Sequence, residues 1–165
     1  VNISVMAPCG SGMQQEKAMY KKILVAIDGS QCGDLGLAEA IGLAAASGAE
    51  LDIVHIVDGG YEEPEVRAGL VRAGHRLLAE AQAKAESKQV RSQAILVDQI
   101  LELGDLGKQV QQIAEERGAQ IVVAGTHGRS GIGRVLMGSV AESLLRHGSL
   151  PVLLVKATGH GGAAS

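Results

Sequence analysis

The segment Gly125-Thr126-His127-Gly128-Arg129-Ser130-Gly131-Ile132-Gly133-Arg134-Val135-Leu136-Met137-Gly138-Ser139 concentrates glycines, two arginines, a histidine and hydroxyls in one stretch. Glycines let a backbone reach positive φ and approach a ligand closely. Successive main-chain N–H groups in such a loop form an anion-binding nest. Arg129 and Arg134 supply guanidinium groups that can neutralise phosphate. The chemistry suggested is therefore phosphate binding, although a solvated surface loop is also often glycine-rich. A second candidate is Asp28-Gly29-Ser30. Here the carboxylate either meets a ligand or stabilises an Asx-type turn before the glycine. Two familiar phosphate motifs are absent. There is no GxxxxGK[ST], which excludes a P-loop NTPase, and no GxGxxG after the first apolar run, which weighs against a dinucleotide dehydrogenase.

The elements that must position these residues alternate. Lys22–Asp28 (KILVAID) and Leu51–Val57 (LDIVHIV) are short apolar runs of the kind found in buried parallel strands. Between them, Asp34–Ser47 reads as an Ala- and Leu-rich helix stopped by Gly48. After Pro64, the positions Val66, Leu70, Leu77, Leu78, Ala81 and Ala85 recur at helical spacing. Gln93–Val97 is a weaker third strand. Asp105–Arg117 is a helix with Leu106, Val110, Ile113 and Ala114 on one face, ended by Gly118. Ile121–Gly125 is the fourth strand, Ser139–His147 the last helix with Gly148 as its stop, and Leu150–Lys156 the fifth strand. Residues 1–19 and 158–165 read as flexible tails around one domain at 20–157, with no internal repeat.

Strands alternating with helices give βαβ units and a parallel sheet covered on both faces. Right-handed crossovers leave few arrangements of five strands, and the order 3-2-1-4-5 satisfies them. In that order the strand direction of growth reverses between strands one and four, where ligands bind beyond the carboxyl ends. Asp28-Gly29-Ser30 and Gly125-Thr126-His127-Gly128 both fall there. The glycine loop also leads into the last helix, whose first N–H groups and dipole favour an anion.

Composition narrows the ligand and the partners. Only 1% of residues are aromatic, with no Phe or Trp, so a bound base must lie between aliphatic side chains. The net charge of −3, without a clustered basic run, argues against nucleic acid or an acidic membrane as the main partner. No stretch is long and apolar enough for a membrane span, and the opening residues lack the pattern of a secretory signal. Cys9 and Cys32 form neither a disulfide framework nor a CxxC pair, so reduced thiols and a cytoplasmic location are the expectation.

Gly125-x2-Gly128-x9-Gly138-Ser139 resembles the ATP-binding signature G-x2-G-x9-G-[ST] of the universal stress protein family. The stretches YKKILVAIDGS, GTHGRSG, MGSVAE and PVLLVK are similar to that family as well, and the match runs from Tyr20 to Lys156. The resemblance implies a Rossmann-like three-layer sandwich of the adenine nucleotide alpha hydrolase type. It further implies a homodimer joined through the last strands, around Val152–Val155, and binding of ATP with Mg²⁺ held through the phosphates. Carried over by position, Ala26 and Asp28 line the adenine and ribose side and Ile56 packs on the base. Gly125, His127, Gly128, Gly138, Ser139 and Val140 then hold ribose and phosphates. The extra glycines Gly131 and Gly133 depart from the commonest pattern.

Each candidate also has a plainer role. Ser139 and Glu142 read as a Ser-x-x-Glu capping box. His55 reads as a structural histidine with a satisfied ring, and His75, His147 and His160 as surface or helix-end residues. His127 has no second His or Cys at ligand spacing, so it is not read as a metal ligand. Arg129 and Arg134 serve equally as solvated loop charges. The expected function is a nucleotide-dependent regulatory homodimer in stress response. The alternatives are an interaction module without nucleotide and a slow ATP hydrolase. No Walker-type lysine or arginine finger supports fast phosphoryl transfer, and the SGGxDS loop of ATP pyrophosphatases is missing after the first strand.

Overall fold

Five short runs rich in β-branched and aliphatic residues become parallel strands, the three central ones buried on both faces and the edge runs Ser92–Val97 and Val152–Val155 only partly covered. The structure is a computed structural model and describes residues 19–57, 63–98, 105–127 and 138–157. In chain order the elements are β1 (Lys22–Ala26), α1 (Gln31–Ser47), β2 (Glu50–Ile56), α2 (Pro64–Glu86), β3 (Ser92–Val97), α3 (Leu106–Arg117), β4 (Ile121–Gly125), α4 (Ser139–His147) and β5 (Val152–Val155). The sheet has the order β3-β2-β1-β4-β5, as the crossover argument requires. All pairings are parallel, with Ala26 beside Val54 on one side and Ala124 on the other.

Alternation along the strands divides the core in two. Ile23, Val25, Leu51, Ile53, Ile121 and Val123 face α1 and α2. Leu24, Val54, Val122 and Ala124 face α3 and α4, packed by Val110, Ala114 and Leu144. Truncating a fully buried member such as Leu24 to Ala costs about 2–5 kcal/mol in sites of this kind.

Helix ends follow local chemistry. Gly48 (φ 67°) and Gly118 (φ 71°) close α1 and α3 in the left-handed conformation read from their positions. Gly148 stops α4 differently: it is extended, and a Cβ there would lie 2.4 Å from the Leu144 carbonyl oxygen. The start of α1 differs from the sequence reading, lying at Gln31 and not Asp34, because the Ser30 side chain accepts from the Gly33 amide and caps the helix. Val66, assigned to the buried face of α2, is 52% exposed at the helix's first turn. The two segments read as tails lie outside the described residues, apart from Met19, which is exposed.

The first turn of α1 sits tightly against the end of β4. A Cβ on Gly125 would lie 2.7 Å from the carbonyl carbon of Cys32, and one on Gly36 would lie 3.5 Å from that of Ala124. The absence of a side chain at Gly125 permits this close approach of α1 to β4.

Candidate functional site

From Ala26, the last residue of β1, the chain runs through Ile27 and Asp28 to Gly29, whose φ of 77° turns it into α1. Asp28 Oδ1 accepts from the Ser30 amide at 3.0 Å and from the Ser30 hydroxyl at 2.6 Å. The turn-stabilising role of Asp28 is therefore built, and the carboxylate also borders the cavity described below. Ser30 Oγ accepts in turn from Gly33 N at 3.0 Å and lies 3.3 Å from the His127 carbonyl oxygen. One hydroxyl thus ties the β1 exit, the start of α1 and the β4 exit together.

Beyond β4, Thr126 N donates to the Val155 carbonyl at 2.8 Å, and the Thr126 hydroxyl meets His127 Nδ1 at 2.9 Å. The chain returns at Gly138, whose amide donates to the Thr126 carbonyl at 2.8 Å. α4 then begins at Ser139, with Gly138 as the N-cap residue and no side-chain capping bond. This corrects the capping-box reading. Ser139 occupies the first helical position, one residue too late for its hydroxyl to act as the cap, and Glu142 instead pairs with Arg146 at 2.6 Å. Among the described residues, no side-chain cap therefore occupies the first-turn amides of α4.

Between these two exits lies a cavity of about 290 Å³ at the carboxyl ends of β1, β2 and β4. Of the expected site residues, Ala26, Asp28, Ile56, Gly125, His127, Gly138, Ser139 and Val140 line it. Gly128 and Arg129 lie outside the described residues, as do Arg134 and the extra glycines. The polar lining gathers at the β1 and β4 exits. A second wall is apolar, made by Val57, Leu70 and Ala73 on the α2 side and by Leu106 and Val110 on α3. Leu70, Leu106 and Val110 lie on the apolar helix faces expected from their spacing, and Val110 belongs to the core as well. Periodicity marks a face as apolar but cannot say that its end overhangs a cavity.

α3, which carries Leu106 and Val110 of that wall, is tied to α4. Asp105 caps α3 by accepting from Lys108 N at 3.1 Å, and it also accepts from the Ser143 hydroxyl of α4. The Ser143 hydrogen bond is the main cause holding the Asp105 carboxyl below the usual range, opposed by partial burial and aided by Lys108. A Cβ on Gly107 would lie 2.5 Å from that of Ser143, so glycine permits the close approach of the two helices.

A charged cluster that sequence reading did not find occupies the other end of the sheet. Asp52, 1% exposed on β2, is paired with Arg117 Nε at 2.9 Å and Lys22 Nζ at 3.3 Å. Arg117 also donates to Gln93. The hydrogen bond and charge of Asp52 raise the Arg117 pKa above its ordinary value. An isolated Asp in an apolar strand gives no sign in sequence of Arg117, its partner sixty-five positions away. Among the described residues, no group of three or more His, Cys, Asp or Glu gathers to hold a metal ion. Among them also, no helix is long and apolar enough to cross a membrane.

Comparison with known proteins places these features. The model of the universal stress protein family matches residues 19–156. The chain is 30% identical over 153 residues to the universal stress protein YxiE of Bacillus subtilis, covering 84% of this chain and 100% of that protein. It is similar to the crystal structure of a universal stress protein family member from Burkholderia pseudomallei, with 36% identity and a TM-score of 0.69. That match covers 85% of this chain and 98% of the other. The same fold recurs in the structure of a universal stress protein in complex with cAMP (24% identity, TM-score 0.63, covering 84% of this chain and 99% of that one). It recurs again in the Archaeoglobus fulgidus protein in complex with dAMP (22%, TM-score 0.64, covering 83% and 98%). The chain belongs to the universal stress protein family.

Proposed function

We propose that this protein binds an adenine nucleotide in the cavity between β1 and β4 and works as a nucleotide-dependent regulatory homodimer in stress response. The observation that carries the reading is the meeting of Asp28, Gly125, His127, Gly138 and Ser139 around one cavity at the switch point. Among the described residues, the amides opening α4 have no side-chain cap, and they border that cavity, which suits a phosphate. Family members of the same fold solved with cAMP and dAMP support adenine nucleotides as the ligand class.

In this reading the base lies against Ile56 and the aliphatic wall of Leu70, Leu106 and Val110. Ala26 and Asp28 face the base and ribose. Gly125, His127, Gly138, Ser139 and Val140 hold ribose and phosphates, with Gly128 and Arg129 contributing from the glycine loop. Mg²⁺ would be held through the nucleotide phosphates, where it would neutralise their charge; among the described lining residues Asp28 supplies the carboxylate.

The dimer is proposed at the outer edge of β5, which pairs only with β4 in the described sheet. A strand edge with unpaired amides is a template for a second copy. Equilibrium binding of ATP, ADP and AMP to nucleotide-free protein, with and without Mg²⁺, tests the reading. Saturable binding of at least one is expected, and its absence for all three would overturn it.

A further inference from the structure

His55 lines the cavity yet is only 5% exposed, and its ring is committed elsewhere: Nδ1 stands 2.8 Å from the carbonyl oxygen of Ile27. A carbonyl only accepts, so Nδ1 carries the proton of this bond. Ile27 is the first residue past β1, and its own amide donates to the Val54 carbonyl at 2.9 Å. β2 therefore holds Ile27 at both its N–H and its C=O. The Ile27 carbonyl belongs to the same rigid plane as the Asp28 amide nitrogen and Cα, because a peptide bond does not rotate. Holding that oxygen fixes the direction in which Asp28 leaves the strand.

The opposite edge of the ring rests on α2 where that helix has a glycine. A Cβ on Gly74 would lie 2.9 Å from His55 Cδ2 and 2.6 Å from Leu96 Cδ1. Gly74 follows Ala73, which with Leu70 forms the α2 side of the cavity. The imidazole is thus wedged between the β1 exit and the helix that closes the apolar end.

We propose that His55 is a positioning residue for the nucleotide site, setting Asp28 through the Ile27 carbonyl without itself touching the ligand. The inference rests on the adenine-nucleotide reading. It is specific to the Nδ1 position, which the side-chain nitrogen of Asn reproduces approximately, whereas that of Gln falls nearer Nε2 and Leu supplies no donor.

The test titrates Mg·ATP into wild-type protein and into His55→Asn, His55→Gln and His55→Leu, with thermal melting recorded for each. Loss of the bond is expected to weaken binding about tenfold in the Gln and Leu variants. Asn is expected to stay within about threefold of wild type, even where its melting temperature matches that of Gln. If Leu does not fold, the Asn–Gln pair decides. Equal affinity across the folded variants would overturn the positioning role while leaving nucleotide binding intact. Failure of the wild type to bind would instead overturn the nucleotide reading and this inference with it. Nitrogen-15 NMR of the nucleotide-free protein gives an independent reading: protonated Nδ1 is expected, and a protonated Nε2 with bare Nδ1 would contradict the assignment.

Discussion

The amide of Gly138 donates to the carbonyl of Thr126 at 2.8 Å, fixing the start of α4 to the exit of β4. The glycine loop therefore leaves and re-enters the fold at one place, beside Asp28 and Ser30. Gly138 does this with φ −61° and ψ 147°, a conformation open to any residue.

Gly33→Ala separates stability from ligand binding. The new methyl would lie 2.7 Å from Asp28 Oδ1 and displace that carboxylate, while relief of a helical glycine favours the fold by up to about 1 kcal/mol. The expected outcome is a melting temperature within a few degrees of wild type, the strained Asp28–Ser30 bonds offsetting the helix gain, together with about tenfold weaker Mg·ATP binding. Calorimetry and thermal melts on the same samples check it. Unchanged affinity would show that Asp28 does not have to sit where it does.

The Asp52 cluster predicts an asymmetry between two substitutions. Arg117→Met leaves a fully buried carboxylate with Lys22 alone and should cost about 2 kcal/mol, less than the loss of a wholly buried partner. Asp52→Leu should cost less, since Lys22 and Arg117 are 20% and 36% exposed and can turn to water. Urea denaturation gives both values, and the reverse order would contradict the account. Neither substitution should alter nucleotide affinity, because the cluster lies at the opposite end of the strands.

Asp105 contributes a pH-dependent lock between α3 and α4. Its folded pKa is lowered from 3.8, so its contribution to stability is complete above that value and is lost as pH falls through the lower folded one. Ser143→Ala removes the main cause of the lowering. The stability gap between wild type and Ser143→Ala should be constant from neutral pH down to about 5, then narrow below 3.8. Denaturation curves at several pH values measure it, and a gap that widens on acidification would have the wrong sign.

How much of this was legible in the sequence depends on whether a feature is local. The strands of β1, β2 and β4 were clear because double burial produces unbroken apolar runs, and Gly48 and Gly118 marked helix ends by their own conformational needs. The switch point followed from topology, which placed Asp28 and Gly125 together without any knowledge of side chains. His55 read correctly as a satisfied histidine, but its acceptor, Ile27, is a main-chain carbonyl that carries no sequence signal. Ser139 misled for a local reason: Gly138 and Ser139 both suit an N-cap, and the Thr126 hydrogen bond selects the glycine. Buried Gln111 and Asp52 were invisible, since polar residues in apolar neighbourhoods announce burial only when their partners are known.

The β5 edge offers a test of the proposed dimer. Pro151 and Val155 carbonyls accept from β4, so the intervening alternation turns the amides of Val152 and Leu154 to the outer edge. Leu154→Pro removes an outward donor while sparing the ladder to β4. Sedimentation should find the wild type dimeric and the variant shifted toward monomer at equal concentration. A wild-type monomer, or a variant that dimerises as well as wild type, would contradict pairing at this edge.

The most direct measurement is calorimetric titration of nucleotide-free protein with Mg·ATP, alongside Asp28→Ala and Gly138→Val. One site per chain is expected in the wild type, with affinity reduced at least about tenfold in both variants and the fold retained in melting curves. No heat from correctly folded wild type would contradict the account, as would binding that neither substitution weakens.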